Sequence, residues 1–426
     1  MARPSVLVIH NQYLEPGGED VVVRSEIALL RQHGHRVLQY ARHNREISGF
    51  SALRRTGLAL TTTWDNESYS EVRALIRQEQ PDVAHCHNLL PLLSPSVYYA
   101  CAAEGVPVIQ TVHNYRLICP AGNAFRNGAA CDGCRRGLTK SMVRGCYRGS
   151  RSQTASIALM LGVHHALGTW NCKVNTYIAP SHFCRAKLTR QFLHPPKLEV
   201  KPHFIGDLPP TRRGPGEYAV FVGRLSEEKG ILPLLKTWRE LRDIPLLVVG
   251  SGPLEHAAHQ LADSSDHRIR FTGLVPHGEA LRLIRNACFL VAPSRCYETF
   301  GLTVLEAMAC GVPAIVPRHG ALRELVCDRR TGLVFDIDHP EQLSTAIRWA
   351  WSHTLEVREM GRAARHHCLE HYSPDVNYKK LMQIYEAARS APETTGDSSR
   401  LVRDLAAVAA VPPVCSGAAA LDQLLP

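Results

Sequence analysis

Short apolar segments alternate with helical patterns along most of the chain, and this alternation constrains the fold more than any other feature. The first series of strand candidates is at residues 5–10, 35–40, 81–87, 107–113 and 175–180, and a second is at 218–223, 245–250, 268–273, 288–293 and 312–317. Such an alternation is typical of parallel sheets whose crossover helices cover both faces. We therefore predict an α/β protein with two successive open parallel sheets.

The chain divides between the two series of strands. With 426 residues it is too long for one ordinary core, and the proline-, glycine- and arginine-rich stretch at 207–218 is the predicted linker. We expect an N-terminal domain over 1–207, a C-terminal domain over 208–374, and a helix over 375–390 that crosses back to the N-terminal domain. The alanine-rich residues 391–426 are weakly patterned and are predicted to be poorly ordered. Because ligands bind at the carboxyl ends of such strands, the expected site is a cleft between two Rossmann-like domains.

The most informative motif is SRCYETFGLTVLEAMACGVPAIV at 294–316. It follows a predicted buried strand and carries a glycine-containing loop into a helical pattern. A helix N-terminus at this place offers backbone N–H groups to a phosphate. Glu298 and Glu306 lie eight positions apart on either side of the loop, so their carboxylates are placed to accept hydrogen bonds from sugar hydroxyls.

A second motif, FVGRLSEEKGI at 221–231, ends a predicted strand at Gly223 and places Arg224 and Lys229 at its carboxyl end. A guanidinium and an ammonium there are suited to neutralise the charge on a departing diphosphate. The structural alternative is solvated loop charge beside Glu227 and Glu228.

Taken together, these motifs resemble the retaining glycosyltransferases of family four, the group 1 class with the GT-B fold. The resemblance extends over roughly residues 5–385 and is carried by segments in both halves. They are PGG (16–18), VGRLSEEKG (222–230), GSGP (250–253), FTGLV (271–275), APSRCYETFGLTVLEAMACGVPAIV (292–316), Gly320 with Glu324, and TGLVF (331–335).

The resemblance implies a role for each matching residue. Arg224 and Lys229 are expected to contact the donor diphosphate, Glu306 the ribose, and Glu298 the transferred sugar. Backbone amides around Phe300, Gly301, Leu302 and Thr303 are expected to hold the distal phosphate. Gly17, Gly18 and Gly223 are expected to allow close approach of the donor, Leu274 to face the base, and His113 to lie near the sugar as a catalytic residue.

The chemistry implied by the resemblance is the transfer of a hexose-type sugar from a nucleoside diphosphate to a hydroxyl acceptor. The anomeric configuration is retained, by front-face attack in which the leaving phosphate accepts the acceptor's proton. No metal or other cofactor is expected in catalysis.

The histidines have competing interpretations. From the sequence alone, His113 at a strand end is compatible with an ordinary hydrogen-bonded residue as well as with a pocket role. His85 and His87 share one face of a predicted strand and are compatible with a place in the cleft, but we favour packing residues.

The segment 116–151 contains Cys119, Cys131, Cys134 and Cys146 in the spacing C-x11-C-x2-C-x11-C. Four thiolates of this kind can form a structural zinc site, but isolated cysteines can equally pack in the fold. The insertion resembles one found in a family subgroup of bacterial surface-polysaccharide enzymes.

The same segment is rich in arginine and lysine, and an apolar helix is predicted at 156–167. A basic segment beside an apolar helix is compatible with peripheral docking to anionic lipid or to a lipid-linked acceptor. The alternative is a buried helix with a solvated loop. With no predicted transmembrane helix or secretory signal, the expected location is the cytoplasm, with membrane contact at its inner face.

Surface polysaccharide or glycoconjugate assembly is the leading interpretation, and a soluble secondary-metabolite acceptor is its alternative. A non-catalytic scaffold and a zinc-containing nucleic-acid-binding protein are further alternatives. The net charge of +10 permits nucleic-acid binding, but no nucleic-acid partner is expected because the sequence shows no helix-turn-helix, RNP-type sheet or tandem finger pattern.

Overall fold

The computed structural model describes residues 3–14, 17–135, 137–190, 198–212, 214–241, 243–262 and 267–390. These residues form two compact units. The first unit is built from the described residues within Met1–Ala124, Asp132–Pro202 and Asn377–Pro412, and the second from those within Phe125–Cys131 and His203–Val376. The predicted linker at 207–218 lies in the second unit, and the predicted tail at 391–426 lies outside the described residues.

The strands are short, and most of them correspond to apolar segments of the sequence. They are β1 (Val6–Gln12), β2 (Val37–His43), β3 (Val83–Cys86), β4 (Val108–Thr111), β5 (Phe125–Arg126), β6 (Ala129–Ala130), β7 (Thr176–Ala179), β8 (Leu198–Val200), β9 (Ala219–Val222), β10 (Leu246–Val249), β11 (Ile269–Gly273), β12 (Phe289–Val291), β13 (Ala314–Pro317) and β14 (Gly332–Phe335). The exceptions are β5, β6 and β8.

Helices follow most of these strands, as the alternating pattern predicts. They are α1 (Gly18–Gln32), a 3-10 helix (Asn44–Gly49), α2 (Ala52–Thr61), α3 (Asn66–Glu79), α4 (Ser96–Ala103), α5 (Thr139–Arg144), α6 (Arg151–Ala166), α7 (Thr169–Cys172), α8 (His182–Thr189), α9 (Ile231–Arg239), α10 (Glu255–Ala262), α11 (His277–Arg285), α12 (Leu302–Ala309), α13 (Leu322–Leu325), α14 (Pro340–Ser352), α15 (Thr354–His371) and α16 (Pro374–Ser390).

The first unit contains a six-stranded sheet in the order β2-β1-β3-β4-β7-β8, with every pair parallel. β3, β4 and β7 are buried along their whole length, as expected for strands covered by helices on both faces. Part of that cover comes from α16, whose Leu381, Ile384 and Tyr385 pack in one cluster with Val6 and Val8 of β1. The 3–4-residue spacing of these three positions places them on one face of the helix.

The second unit contains a six-stranded sheet in the order β11-β10-β9-β12-β13-β14, again parallel throughout. Two separate apolar clusters cover its faces, one around Trp238 of α9 and one around Met308 of α12. The predicted fold class, α/β with two parallel sheets, is therefore confirmed.

The cysteine-containing insertion at 116–151 has little regular structure. β5 and β6 form a two-residue antiparallel pair that belongs to the second unit, while the insertion from Asp132 onward belongs to the first. Among the described helices, none is both long and apolar enough to cross a membrane.

Candidate active site

In the second unit, glycines bring the loops after β9 and β10 into direct contact. The Gly250 amide donates to the Gly273 carbonyl at 2.9 Å. A Cβ atom at Gly250 would lie only 2.1 Å from the Gly223 carbonyl oxygen, and φ at Gly250 is +127°, so this position requires glycine. The GSGP segment therefore supports the loop that carries Arg224 and Lys229.

A further close approach joins that loop to the loop after β12. A Cβ atom at Gly230 would lie 2.2 Å from the Pro293 carbonyl oxygen, and the Arg295 amide donates to the Glu228 carbonyl at 2.8 Å. The two sequence motifs, about seventy residues apart, are thereby held side by side at the carboxyl ends of neighbouring strands.

The charged groups of the two motifs meet at Glu298. Lys229 Nζ donates to Glu298 Oε1 at 2.6 Å, and Ser294 Oγ donates to the same oxygen at 2.6 Å. Burial alone would lower the pKa of Lys229, but the adjacent carboxylate raises it above its usual value. Burial would raise the pKa of Glu298, but Lys229 lowers it. Both groups are charged at neutral pH, and side-chain exposures of 33% and 17% leave the pair accessible to a ligand.

Glu306 has a partner that sequence reasoning missed. It lies in α12 and is 7% exposed, and its Oε1 is 2.7 Å from Nε2 of His277, the first residue of α11. His277 follows the FTGLV segment by two residues. A polar residue just beyond a strand end is the signal that could have identified it.

The N-terminus of α12 lies between Glu298 and Glu306 in the chain. Gly301 caps it with φ at +123°, and a Cβ atom there would lie 2.3 Å from Leu322 Cδ2. The first amides of a helix have no partner within the helix, so those of Leu302 and Thr303 are suited to an anion. The adjacent Phe300 is different, because its ring is buried against Tyr372 and His203 and only its backbone can serve a ligand.

The remaining predicted residues of the second unit are at its surface. Arg224 is exposed, and Leu274 is 69% exposed. Both positions are accessible to a ligand, and neither side chain has a structural role in the core.

In the first unit, the predicted glycines stand at the start of α1. The Gly17 amide donates to Asp20 Oδ2 at 2.8 Å, which caps the helix, and Gly18 is exposed. Asp20 Oδ1 is 2.9 Å from His10 Nε2. Burial would raise the pKa of Asp20, but the hydrogen bonds from His10 and Gly17 lower it.

His113 lies two residues beyond β4 and contacts another histidine. Its Nε2 is 2.9 Å from Nδ1 of His87, and the two rings stack with an interplanar angle of 25°. His87 is 2% exposed, and burial lowers its pKa well below the usual value. His113 is thus held by a buried neutral imidazole.

A pocket lies beside His113 within the first unit. It has an empty volume of about 540 Å³, including its open part, and its lining includes His87, His113, Arg116, Met160, Leu161 and Trp170. Within the described part of the chain, two buried donors of this lining, Arg116 Nε and Trp170 Nε1, have no hydrogen-bond partner. The pocket therefore combines apolar walls with unsatisfied N–H donors, a composition that suits an oxygen-bearing ligand.

The cysteines of the insertion are partly exposed. A hydrogen bond with Cys134, together with backbone donors, lowers the pKa of the Cys119 thiol to about 6 against the opposing effect of burial. A thiol with this pKa is largely thiolate at neutral pH, which is the form that binds metals.

The predicted apolar helix at 156–167 corresponds to α6, which buries one face and exposes the other. It buries Ile157, Met160 and Leu161, while Leu159 and the following Leu167 are 51% and 60% exposed. Arg144, Arg148 and Arg151, which precede or begin the helix, are exposed.

The structure thus groups Lys229, Glu298, Glu306 and the start of α12 in the second unit, and His113, Gly17 and Gly18 in the first.

Comparison with known proteins gives two family matches. Residues 16–206 match the model described as Glycosyltransferase Family 4, and residues 216–353 match that of Glycosyl transferases group 1. Glycogen synthase of Mycobacterium tuberculosis is 31% identical over 186 residues, which cover 42% of this chain and 44% of that protein. The chain therefore spans less than half the length of this curated relative.

Solved structures match over nearly the whole fold. Sucrose-phosphate synthase of Thermosynechococcus elongatus has a TM-score of 0.68 at 19% identity, with coverage of 90% of this chain and 98% of that one. Anabaena HepE in complex with UDP-glucose has a TM-score of 0.64 at 15% identity, with coverage of 90% and 100%. With its two six-stranded parallel sheets, the chain has the GT-B fold.

Proposed function

We propose that this protein is a retaining glycosyltransferase that moves a sugar from a nucleoside diphosphate to a hydroxyl acceptor. The observation that carries the proposal is the meeting of Lys229 and Glu298 beside the N-terminus of α12. Both motifs lie in the region that matches the group 1 family model. The complex of HepE with UDP-glucose supports a nucleotide-sugar donor for this fold.

The donor half of the proposal assigns each group to a part of the ligand. The α12 amides hold the distal phosphate, Arg224 and Lys229 neutralise the diphosphate, and Glu306 receives the ribose hydroxyls. Glu298 accepts hydrogen bonds from the transferred sugar while it remains paired with Lys229. Gly17, Gly18 and Gly223 leave space for the donor, and Leu274 faces the base.

The proposed transfer step retains the anomeric configuration. The bond between the anomeric carbon and the phosphate oxygen breaks, the bond to the acceptor oxygen forms on the same face, and the acceptor's proton passes to the leaving phosphate. Arg224 and Lys229 stabilise the charge that develops on the diphosphate. This arrangement supplies cationic charge from side chains, so the proposal needs no metal ion for catalysis.

The acceptor half is proposed to lie at His113 and the pocket beside it. The unpartnered N–H groups of Arg116 and Trp170 offer hydrogen bonds to acceptor oxygens, and the side chains of Met160 and Leu161 offer an apolar wall. An acceptor with hydroxyl groups and an apolar face satisfies both.

Surface polysaccharide or glycoconjugate assembly at the cytoplasmic face of a membrane is the proposed setting. It is supported by exposed Arg144, Arg148 and Arg151 together with exposed Leu159 and Leu167. Binding to vesicles containing anionic lipid should weaken in a variant with all three arginines changed to glutamine. Absence of vesicle binding by the unchanged protein favours the soluble secondary-metabolite acceptor.

A structural zinc at Cys119, Cys131, Cys134 and Cys146 is a separate proposal. It is supported by the spacing of the four cysteines and by the hydrogen bond between Cys119 and Cys134, although no three of the four thiols converge among the described residues. Metal analysis should find about one zinc per chain, and Cys134→Ser should lose it. If the purified protein contains no zinc and is as stable as Cys134→Ser, the zinc site is contradicted and the transferase proposal stands.

The test of the proposed function is a thermal-shift screen against UDP, GDP, ADP and their sugars. A ligand that binds the folded state raises the midpoint by mass action. One nucleotide should raise it selectively, and Glu306→Ala should reduce the shift at the same ligand concentration, while Glu341→Ala, an exposed acidic control in α14, should keep it in full. No shift from any of them contradicts the donor site and favours a scaffold or a nucleic-acid-binding protein.

A further inference from the structure

A cluster of charged and titratable side chains lies inside the first unit, behind His113. Glu26 of α1, His85 of β3, His87 and Lys201 are each no more than 2% exposed. Lys201 Nζ donates to Glu26 Oε1 and also to Asn377 Oδ1 of α16, the latter at 3.1 Å. Charged groups are rarely buried to this degree unless they are paired, so the cluster is a built feature of the fold.

His87 connects this cluster to His113. Its Nδ1 is 2.9 Å from His113 Nε2, and its Nε2 is 3.6 Å from Glu26 Oε2. A neutral imidazole has one N–H donor and one acceptor nitrogen. Because the carboxylate attracts the proton, the N–H of His87 is assigned to Nε2 and its acceptor lone pair to Nδ1.

The tautomer of His113 follows from that of His87. With a lone pair on His87 Nδ1, the hydrogen bond between the rings requires His113 Nε2 to carry the proton and donate it. We infer that His87, oriented by Glu26 and Lys201, is a positioning residue that fixes the ring orientation and the Nε2–H tautomer of His113. The basic nitrogen of His113 is then Nδ1.

His85 stabilises the arrangement without contacting His113. Its Nδ1 is 2.8 Å from the Tyr385 hydroxyl of α16, and its Nε2 is 2.7 Å from Thr111 Oγ1 of β4. Its ring centroid is 4.3 Å from that of His87. The final helix of the chain therefore helps to hold the histidine pair, through Tyr385 and through the contact of Asn377 with Lys201.

A metal ion is the competing explanation for this cluster. Glu26, His85 and His87 each offer a ligand atom, and these atoms lie within 4.8 Å of one another. However, the carboxylate already has a fully buried ammonium as its counter-charge, and a divalent cation at the same carboxylate would be repelled by Lys201. The charges therefore favour a buried ion pair beside the hydrogen-bonded histidines over a metal centre.

The effect on catalysis rests on the proposed role of His113, but the tautomer is a property of the protein alone. It is read by nitrogen NMR of the full chain labelled with 15N-histidine, in which the signal lost in His113→Gln identifies His113. We expect the Nε2–H tautomer for His113. Finding the Nδ1–H tautomer overturns the inference.

Two variants of His87 sharpen the test. His87→Asn keeps an amide oxygen near the position of Nδ1 and should preserve the His113 tautomer, whereas His87→Leu removes the acceptor and should leave a mixture. His35→Leu is the matched control, because His35 is also buried in the first unit but contacts Pro4 and Tyr378. The inference is overturned if His87→Leu leaves the His113 tautomer unchanged, and the asparagine variant supplies the comparison if the leucine variant does not fold.

Activity and metal content separate the remaining outcomes. His87→Leu should lower kcat roughly 10–100-fold, by analogy with residues that orient metal-binding histidines, with the donor KM unchanged and partial recovery in His87→Asn. Stoichiometric metal that is lost in His87→Asn overturns the inference in favour of a metal centre. If the tautomer is as expected but no donor is turned over, the proposed function fails while the positioning of His113 stands.

Discussion

The two units hold their candidate residues in different ways. In the second unit the polar groups stand on loops at strand ends, and Lys229 and Glu298 keep side-chain exposures of 33% and 17%. In the first unit, Glu26, His87 and Lys201 are almost fully buried and come from α1 and the ends of two strands. A partly exposed pair can reach a ligand, whereas a buried network is closed to one. The arrangement in the second unit therefore suits the binding of a ligand, and the arrangement in the first unit suits the orientation of a neighbouring side chain.

The largest expected effect comes from breaking the buried pair in the first unit. Lys201→Met leaves the carboxylate of Glu26 buried without its ammonium, which should lower the free energy of unfolding by about 3–5 kcal/mol. Urea denaturation measures this loss. The control is Arg36→Met, which breaks the surface pair with Glu79 and should cost less than about 1 kcal/mol. Similar losses in both variants contradict the contrast drawn between buried and exposed pairs.

Next in size is the effect of the cations in the second unit on turnover. Arg224→Ala and Lys229→Ala should each lower kcat roughly 10²–10³-fold, because both stabilise charge on the leaving diphosphate. Release of nucleoside diphosphate at saturating donor measures kcat. Lys236→Ala, in α9 of the same unit, is the control and should keep the normal rate. Unchanged turnover in both site variants removes these residues from catalysis.

The comparison also predicts a pH dependence that originates in the first unit. Burial lowers the pKa of His85 to about 4 from an ordinary value of 6.5. Between these values the unfolded chain binds more protons than the folded one, so stability rises with pH through this window. From pH 6.5 to 5 the loss in the free energy of unfolding should be about 1–2 kcal/mol for His85 alone.

Unfolding measured at both pH values in two variants tests the origin of this dependence. His85→Gln should reduce it, and His366→Gln, at a histidine whose side chain is 83% exposed, should leave it unchanged. An equal dependence in His85→Gln places its origin elsewhere.

The smallest expected effect is on donor affinity. Glu306→Ala should weaken donor binding roughly tenfold, about 1.4 kcal/mol, with kcat little changed, since a ribose contact serves the ground state and the transition state equally. Calorimetric titration with the nucleotide measures it. His277→Ala removes only the half-exposed partner of Glu306 and should have a smaller effect. A loss confined to kcat contradicts the ribose assignment.

The sequence predicted the second unit more completely than the first because of how each site is assembled. Arg224, Lys229, Glu298 and Glu306 lie in two local motifs, each of which is a strand end, a loop and a helix start, so the sequence shows which groups each motif carries, and the family resemblance joins the two motifs in one site. The pairing of Lys229 with Glu298 depends on the contact of Gly230 with Pro293, which no local pattern contains.

In the first unit, the network joins residues far apart in the chain. Lys201 follows Glu26 by 175 positions, and Tyr385 follows His85 by 300. The interpretation of His85 and His87 as packing residues agrees with their burial, but it missed their hydrogen bonds. Alternation along a strand shows on which face of the sheet a side chain lies, but it does not show which distant residues that side chain contacts. β8, with three residues at a sheet edge, lacked the length of a recognisable strand pattern.

The most direct test of the central claim is hydrogen exchange of the full chain with and without the nucleotide that raises its midpoint. If the donor binds where Lys229, Glu298 and the α12 amides meet, exchange should slow in segments 223–231 and 298–309 of the second unit. Glu306→Ala should need about tenfold more nucleotide to reach the same protection. Protection confined to the first unit, or none in either segment at saturating nucleotide, would contradict the account.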